Sequence, residues 1–216
     1  MKMTAAVLRE IGAKRPYATS QPIQIEEGEL DPPKDGELLV RIVGGGLCHS
    51  DLSMINGDRS RPLPVVIGHE GSGEVVEVGP GVRDIKPGEP VIFQFSASCG
   101  RCVSCLEGRP QLCETHVIAR AKGHLMGGGS RLKDAAGKEI AHHSGVSCFA
   151  EYAVVDRGSA VKVDKDLPLA DAAIFGCAVM TGVGAVMNTA RIRVGDTVAI
   201  VGLGGVGLNG LLGAKV

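Results

Sequence analysis

Short apolar stretches alternate with turns rich in glycine and proline over the first two thirds of the chain. Val, Ile and Leu dominate these stretches, and each stretch has the length of a β-strand. Turns such as Lys86-Pro87-Gly88 separate them. Short strands at regular spacing are typical of a β barrel or a β sandwich. We predict strands over residues 4–8, 23–27, 38–43, 73–78, 89–95 and 149–156.

Several regions depart from this strand pattern. Residues 49–56 predict a short helix with Ser50 and Asp51 as cap residues, and the apolar stretch from Leu169 predicts a helix that runs past Cys177. Residues 198–201 predict a strand that leads into a glycine-rich turn and the start of an apolar helix. Residues 120–147 are rich in glycine and polar side chains, which predicts an excursion on the surface.

The composition limits the classes of partner. The chain has 216 residues, enough for one or two domains, and its 44% hydrophobic and 22% charged content is that of an ordinary globular protein. The formal net charge of −1 offers no basis for binding nucleic acid or an anionic membrane. No apolar run reaches the ~18 residues of a membrane-spanning helix. We therefore expect no nucleic-acid partner and no membrane.

Seven cysteines, an odd number, indicate ligands rather than disulfides. The N-terminus has neither the apolar core nor the cleavage pattern of a signal peptide. Thiols stay reduced in the cytoplasm, where cysteines more often bind metal or act in catalysis. We therefore expect a cytoplasmic protein whose cysteines bind metal.

Four of the cysteines form a quartet within 15 residues, and Gly100 and Gly108 allow that loop to fold back. This spacing predicts a closed, tetrahedral zinc site made of thiolates alone, which has no open position for chemistry. An iron–sulfur cluster uses similar spacings, and four unrelated cysteines are the remaining alternative. The quartet consists of Cys99, Cys102, Cys105 and Cys113.

A second candidate metal set is scattered along the chain. Cys48 opens the run Cys-His-Ser-Asp, His69 lies in Gly-His-Glu, and Cys177 follows far downstream. A catalytic zinc has three protein ligands of these types and one open position. Taken singly, each residue is more often an ordinary buried or surface side chain. Asp51 or Glu70 is a candidate to hold the non-ligating nitrogen of His69.

Gly202-Leu203-Gly204-Gly205-Val206-Gly207 follows a predicted strand and opens an apolar segment. That context is the one required for a dinucleotide-binding turn, in which glycines let a pyrophosphate approach the N-terminus of a helix. The acidic residue that would confirm the motif falls about 20 residues after its start, beyond Val216.

With these features in this order, the chain resembles the zinc-dependent medium-chain alcohol dehydrogenases over essentially its whole length. The resemblance implies a mixed α/β fold, in which a β-rich GroES-like barrel is followed by the first strand-turn-helix start of a Rossmann domain. It implies a GroES-like catalytic domain at residues 1–188, with a structural-zinc lobe at about 96–116. Residues 189–216 would begin the NAD(P)-binding Rossmann domain, and we expect the chain to be truncated within it. The most specific matches are Gly68-His69-Glu70-Gly71, the quartet, Gly176-Cys177 and Gly202 to Gly207.

The resemblance also implies two zinc ions per chain and the cofactor NAD, or alternatively NADP. Cys48, His69 and Cys177 would hold the catalytic zinc, and the quartet the structural zinc. Ser50, Asp51 and Glu70 would serve catalysis, with Ser50 taking the alcohol proton and Asp51 bracing the histidine ligand. Phe95 would form a wall of the substrate pocket. The implied cofactor contacts are His49, Thr181, Gly202, Gly204, Gly205, Val206 and Gly207.

Two positions depart from the family. Ser53 stands where some members carry a histidine that passes the proton to solvent. Val117 stands where the glutathione-dependent formaldehyde dehydrogenases carry an arginine for their anionic substrate, which argues against that subclass.

The expected function is reversible oxidation of a small alcohol to an aldehyde or ketone, with hydride transfer to NAD(P). The resemblance implies a homodimer or tetramer for the full-length protein. One alternative is a truncated, catalytically inactive zinc-binding domain. The other is a quinone or enoyl reductase of the same superfamily, which lacks zinc.

Overall fold

The computed structural model describes residues 1–216 and contains ten β-strands and seven α-helices. The strands are β1 Lys2–Leu8, β2 Ile23–Leu30, β3 Glu37–Gly46, β4 Val65–Val66, β5 Glu70–Val78, β6 Pro90–Phe93, β7 Leu132–Asp134, β8 Glu139–His142, β9 Tyr152–Asp156 and β10 Ala160–Lys162. The helices are α1 Tyr17–Ser20, α2 His49–Asn56, α3 Val103–Leu106, α4 Glu114–Ala121, α5 Leu169–Ala172, α6 Ala178–Gly184 and α7 Gly205–Gly213. A strand forms in each stretch predicted up to residue 156, and the helix predicted at 49–56 is confirmed, although its capping residue is Cys48 rather than Ser50 or Asp51.

Five strands close into a small barrel in the order β1-β2-β7-β8-β4, and β4 returns to pair with β1. Along β1, Met3, Ala5 and Val7 are buried and the residues between them are not, which is the period-two alternation of a strand with one face inside. The interior of the barrel is the first of the two main apolar cores.

The other five strands form a sheet in the order β10-β6-β5-β3-β9. Strand β3 lies between both cores, because Leu38 and Val40 pack in the sheet's core while Leu39 packs in the core of the barrel. The ladder between β3 and β5 ends with Gly46 opposite Glu70. That register brings the segment after β3, which carries Cys48, beside the turn that carries His69.

The prediction of a surface excursion over residues 120–147 is wrong. Strands β7 and β8 belong to the barrel, and Arg131 is only 1% exposed. Its guanidinium donates to both carboxylate oxygens of the buried Glu37, Nη2 at 2.6 Å and Nε at 2.9 Å. The sequence pattern did not reveal this burial, because the charge of Arg131 is paired with a residue far away in the chain.

The predicted strand at 198–201 does not form. No other strand runs beside this segment in the structure, and a strand needs a neighbour for its backbone hydrogen bonds. The glycine-rich turn does lead into helix α7. The helix predicted from Leu169 is interrupted at Cys177, between α5 with its 3₁₀ continuation Ala173–Gly176 and helix α6.

The helices include no single one that is long and apolar enough to cross a membrane. Leu169–Gly176 and Ala178–Ala190 reach that length and composition only when taken together, and the pair is bent by 49°.

Candidate metal centre and its two cavities

Helix α2 fixes Cys48 and Asp51 relative to each other. Cys48 is the residue that caps the helix, and its backbone N–H donates to Oδ2 of Asp51 at 3.1 Å. Asp51 is buried, so this hydrogen bond leaves its other carboxylate oxygen directed at the protein interior. A carboxylate in the first turn also suits the positive end of the helix dipole.

His69 lies directly after Gly68, whose φ of +94° favours glycine. A Cβ on Gly68 would also lie 2.5 Å from the ring of Phe149. Oδ1 of Asp51 lies 3.2 Å from Nδ1 of His69. This contact fixes the ring and leaves Nε2 free to bind a metal.

The electrostatics around Asp51 favour its charged form. Burial opposes ionisation, but the close approach of His143 and the hydrogen bond from His69 outweigh burial and hold the pKa of Asp51 well below its usual range. Burial likewise opposes protonation of His69, yet the hydrogen bond to Asp51 and the charges of Asp51 and Cys48 raise its pKa overall. Asp51 is therefore an anion that holds a histidine in place.

Cys177 lies beside Cys48 and His69 although it is far from both in sequence. It lies where the helical segment breaks, with φ −141° and ψ −73°, and it is buried. Gly176 makes this approach sterically feasible, because a Cβ there would lie only 1.7 Å from the carbonyl oxygen of Phe93. Burial raises the pKa of the Cys177 thiol, and the neighbouring Cys48 and Glu70 raise it further.

The structure brings together one donor atom from each of four side chains, all within 4.8 Å of one another: Cys48, His69, Glu70 and Cys177. We call this set the donor cluster. Two sulfurs, an imidazole nitrogen and a carboxylate oxygen are all ligand types that zinc accepts at ~2.0–2.3 Å. Donor atoms around one tetrahedral ion with such bonds lie roughly 3.3–3.8 Å apart. The donor cluster therefore fits a single zinc ion.

The donor cluster lies between two cavities. Cys48 and Glu70 line a larger cavity of about 660 Å³, together with His49, the glycine turn and Val206. His69 and Cys177 line a smaller cavity of about 100 Å³. A metal ion in the donor cluster would be approached from both sides.

The predicted cofactor contacts gather at the larger cavity, with one exception. His49, Val206 and the glycines at 202, 204, 205 and 207 line it, whereas Thr181 does not. Gly202 has a φ of +92°, and a Cβ on Gly207 would lie 1.8 Å from the carbonyl oxygen of Gly202. The glycines are thus needed for the turn, and the N-terminus of α7 follows it.

The predicted substrate-side residues line the smaller cavity. Phe95 packs edge-on against the ring of His69, with 5.5 Å between the ring centroids. Ser50 also lines this cavity, and its Oγ accepts a hydrogen bond from Nη1 of Arg59 at 3.4 Å. Ser53 lies 3.4 Å from Nδ1 of His49.

The cysteine quartet forms a separate cluster. All four sulfurs lie within 4.8 Å of one another, and those of Cys102 and Cys113 are 3.9 Å apart. The backbone N–H of Cys99 donates to Sγ of Cys113, and that of Cys102 to Sγ of Cys99, both at 3.3 Å. Hydrogen bonds, the strongest from Thr115, lower the pKa of Cys99 to about 6. Burial and the neighbouring Cys102 raise the pKa of Cys105 to about 11, so the proximity of the four sulfurs is what suits one zinc ion.

Two groups of residues beside the donor cluster were not predicted. The first is the pair His142 and His143, which lies in a segment rich in glycine and serine, yet both histidines are buried. His143 contacts Oδ1 of Asp51 at 3.4 Å and packs edge-on against His69, with 5.1 Å between the ring centroids. The second group consists of three arginines in the smaller cavity. Neither group had a signal in the sequence, because both depend on contacts between distant segments.

The comparisons with known proteins agree with this geometry. The family profile of the alcohol dehydrogenase GroES-like domain matches residues 34–165. The S-(hydroxymethyl)glutathione dehydrogenase of Synechocystis sp. is 42% identical over 216 residues, which are the whole of this chain and 56% of that protein. The chain thus spans little more than half the length of the curated relatives it matches.

Solved structures match over the whole chain as well. An alcohol dehydrogenase zinc-binding domain protein from Burkholderia ambifaria is 36% identical with a TM-score of 0.90, and the match covers 56% of that chain. Benzyl alcohol dehydrogenase from Acinetobacter calcoaceticus is 31% identical with a TM-score of 0.83, again over 56% of its length. The chain therefore belongs to the family of alcohol dehydrogenase GroES-like domains.

Proposed function

We propose that this chain carries the catalytic centre of a zinc-dependent alcohol dehydrogenase that oxidises a small alcohol reversibly with NAD or NADP. One observation carries the proposal. Four metal-binding side chains converge between a cavity lined by a dinucleotide-type glycine turn and a second cavity lined by Ser50 and Phe95. That arrangement suits a cofactor and a substrate that meet at one metal ion.

In this proposal Cys48, His69 and Cys177 hold the catalytic zinc, and Glu70 lies against them. Bound zinc supplies Lewis-acid polarisation of the substrate oxygen, and a bound nicotinamide accepts or returns the hydride. Asp51 holds His69 in the orientation that presents Nε2, supported by the 3.2 Å contact to Nδ1.

The other residues orient the two reactants and move the proton. Ser50 relays the hydroxyl proton of the alcohol, because its Oγ takes up that proton while its own hydroxyl hydrogen passes to water; its position on the wall of the smaller cavity supports this role. Arg59 donates to the Ser50 oxygen and leaves the serine hydroxyl hydrogen free to turn elsewhere. Phe95 excludes water beside His69.

On the larger cavity, His49 and the N-terminus of α7 would bind the cofactor's pyrophosphate, and Val206 would pack on the nicotinamide. Thr181 stays a prediction for the nicotinamide as well, although it does not line the cavity. We assign residues 1–188 to the catalytic domain and 189–216 to the beginning of the NAD(P)-binding domain. The quartet would hold a second, structural zinc, and the whole protein would be a homodimer or tetramer.

The names of the relatives support an alcohol-type substrate. One relative acts on S-(hydroxymethyl)glutathione and one solved neighbour on benzyl alcohol. Both substrates carry a hydroxymethyl group, so a primary alcohol is the class to test first.

The test measures formation of NADH or NADPH by the zinc-loaded protein with benzyl alcohol and with S-(hydroxymethyl)glutathione. We expect alcohol-dependent formation of NADH or NADPH in the wild type, and its loss in His69→Ala because the donor cluster loses its only imidazole. His124→Ala is the matched control, since His124 lies outside the cluster and contacts Glu139 instead. A protein that binds zinc at both clusters but oxidises no alcohol with either cofactor would be a zinc-binding module only.

A further inference from the structure

Three arginines share the smaller cavity beside the donor cluster: Arg59, Arg61 and Arg120. We call them the arginine triad. No aspartate or glutamate lines this cavity, and none of the three forms an ion pair with a carboxylate. Three cations thus converge on one small space without an anion among them.

The triad differs from the arginines that the fold pairs with a carboxylate. Arg41, Arg131 and Arg157 each lie within 2.9 Å of a carboxylate oxygen. By contrast, Nε of Arg61 is buried and has no hydrogen-bond partner, and Nη1 of Arg61 donates only to the neighbouring carbonyl of Ser60 at 3.2 Å. A buried donor without a partner destabilises the fold, unless a ligand supplies the missing acceptor.

Arg61 and Arg120 are half-buried and Arg59 is exposed, and all three line the same cavity. Burial lowers the pKa of Arg61, and the charges of Arg120 and Arg59 lower it further. An arginine stays charged under such conditions, so the repulsion persists until an anion enters. Guanidinium groups bind carboxylates and phosphates through paired hydrogen bonds, and so these oxyanions are the ligands that the triad fits.

We propose that the arginine triad binds the carboxylate or phosphate group of a compact alcohol or aldehyde whose reacting carbon faces the donor cluster. The inference rests on the proposed dehydrogenase function and specifies the class of its substrate. His69 and Cys177 line the same cavity as the triad, so an oxygen at the metal and an oxyanion at the triad belong to one short molecule.

The size of the cavity favours a short molecule over a peptide adduct. Its volume of about 100 Å³ is well below the ~300–1,000 Å³ of ordinary ligand pockets. A glutathione adduct is also anionic, but it would extend far beyond this space. The proposed substrate therefore differs from the one that the Synechocystis relative's name describes.

The test compares substrates that differ only in the anion. We expect the zinc-loaded protein to oxidise 4-hydroxybutyrate with a kcat/KM about ten- to a hundredfold higher than that for 1-butanol, the range expected for hydrogen bonds to a charged group. The kcat/KM for 3-hydroxypropyl phosphate, measured in the same way, shows whether the triad prefers a phosphate or a carboxylate. Arg61→Gln and Arg120→Gln should each bring the ratio of kcat/KM for 4-hydroxybutyrate to kcat/KM for 1-butanol close to one. Arg61→Lys should restore part of it, because lysine keeps the charge but not the forked geometry.

Arg83→Gln is the matched control, since Arg83 is exposed and lines neither cavity, and its ratio should equal the wild-type value. Titration calorimetry with succinate gives a readout that needs no turnover. Succinate should bind the wild type and Arg83→Gln, and bind Arg61→Gln at least about tenfold more weakly.

The outcomes separate this inference from the proposed function. Oxidation of 1-butanol as efficient as that of the hydroxyacid and the phosphate, with no succinate binding, would overturn the inference and leave the dehydrogenase standing. A preference for S-(hydroxymethyl)glutathione that Arg61→Gln does not alter would also overturn it. Succinate binding that is lost in Arg61→Gln, in a protein that oxidises no alcohol, would support the anion site and contradict the dehydrogenase.

Discussion

Asp156 illustrates at the residue scale how burial changes a single side chain. Its carboxyl group is 4% exposed, and burial raises its pKa to about 6 despite hydrogen bonds from the backbone N–H of Met126 at 3.1 and 3.2 Å. The nearby charge of Glu37 raises the pKa further, whereas Arg131 opposes the shift. Asp156 therefore holds its proton more tightly in the folded than in the unfolded chain.

We predict that the free energy of unfolding depends on pH through Asp156. Its folded pKa is raised from 3.8 to about 6, so its contribution is fully present below pH 3.8 and is lost as the pH rises to about 6. Asp156→Asn removes this dependence, because asparagine does not titrate. The stability of the variant relative to wild type should rise between pH 4 and pH 6 by roughly 3 kcal/mol at most.

Urea denaturation across this pH range measures the effect. Asp166→Asn is the control, since Asp166 is exposed, and its difference from wild type should stay flat. If the free energy of unfolding of Asp156→Asn relative to wild type is also independent of pH, the buried carboxyl group does not titrate as described.

The donor types of the site were predictable at this scale, and its electrostatic surroundings were not. Cys48, His69 and Cys177 are of the residue types that bind a catalytic zinc, and together they supply the three protein ligands such a site needs. His143 carries no such local signal, because its contact with Asp51 joins positions far apart in the chain. The arginine triad could not be predicted from the sequence for the same reason.

At the scale of elements, close backbone approach explains much of the glycine content. The broken helix around Cys177 packs on strand β6, and Gly176 faces the carbonyl oxygen of Phe93 with no room for a methyl group. Apolar periodicity predicted the helix but not its break, because the break arises from packing against β6 rather than from a proline. Similarly, the strand predicted at 198–201 had the right composition but has no partner strand.

We predict that Gly176→Ala weakens zinc binding at the donor cluster without affecting zinc binding at the quartet. Its Cβ would lie 1.7 Å from the Phe93 oxygen, so the backbone must move and carry Cys177 away from Cys48 and His69. Overpacking of this kind costs about 1–3 kcal/mol or more. Zinc at the donor cluster should be lost, zinc at the quartet should remain, and the melting temperature should fall.

Gly184→Ala is the matched control, because a Cβ there meets only the side chain of Asn188 at 3.8 Å and alanine favours a helix. Its zinc content, measured by inductively coupled plasma mass spectrometry, should equal that of the wild type. Equal zinc content in Gly176→Ala would mean that the helix break does not position Cys177.

For the whole molecule, the two sheets act as a frame that brings distant segments to one point. The ladder of β3 and β5 joins Cys48 to His69, and the packing of the 3₁₀ turn on β6 adds Cys177. The β-rich class was predictable from short apolar stretches, but closure of the barrel was not, because it requires pairs such as Gly28 with Asp134. Long-range pairing of this kind also places strands β7 and β8 of residues 120–147 in the barrel, where we had predicted a surface excursion.

The central claim is that Cys48, His69 and Cys177 bind one metal ion independently of the quartet, and native mass spectrometry of the zinc-loaded protein tests it most directly. We predict two zinc ions per chain in the wild type, one for each donor set. Cys48→Ala should carry one zinc ion with nearly unchanged thermal stability, whereas Cys102→Ala should lose the other and unfold at a lower temperature, since structural zinc contributes to folding. A wild-type chain with a single zinc ion, or a Cys48→Ala chain that keeps both, would contradict the account.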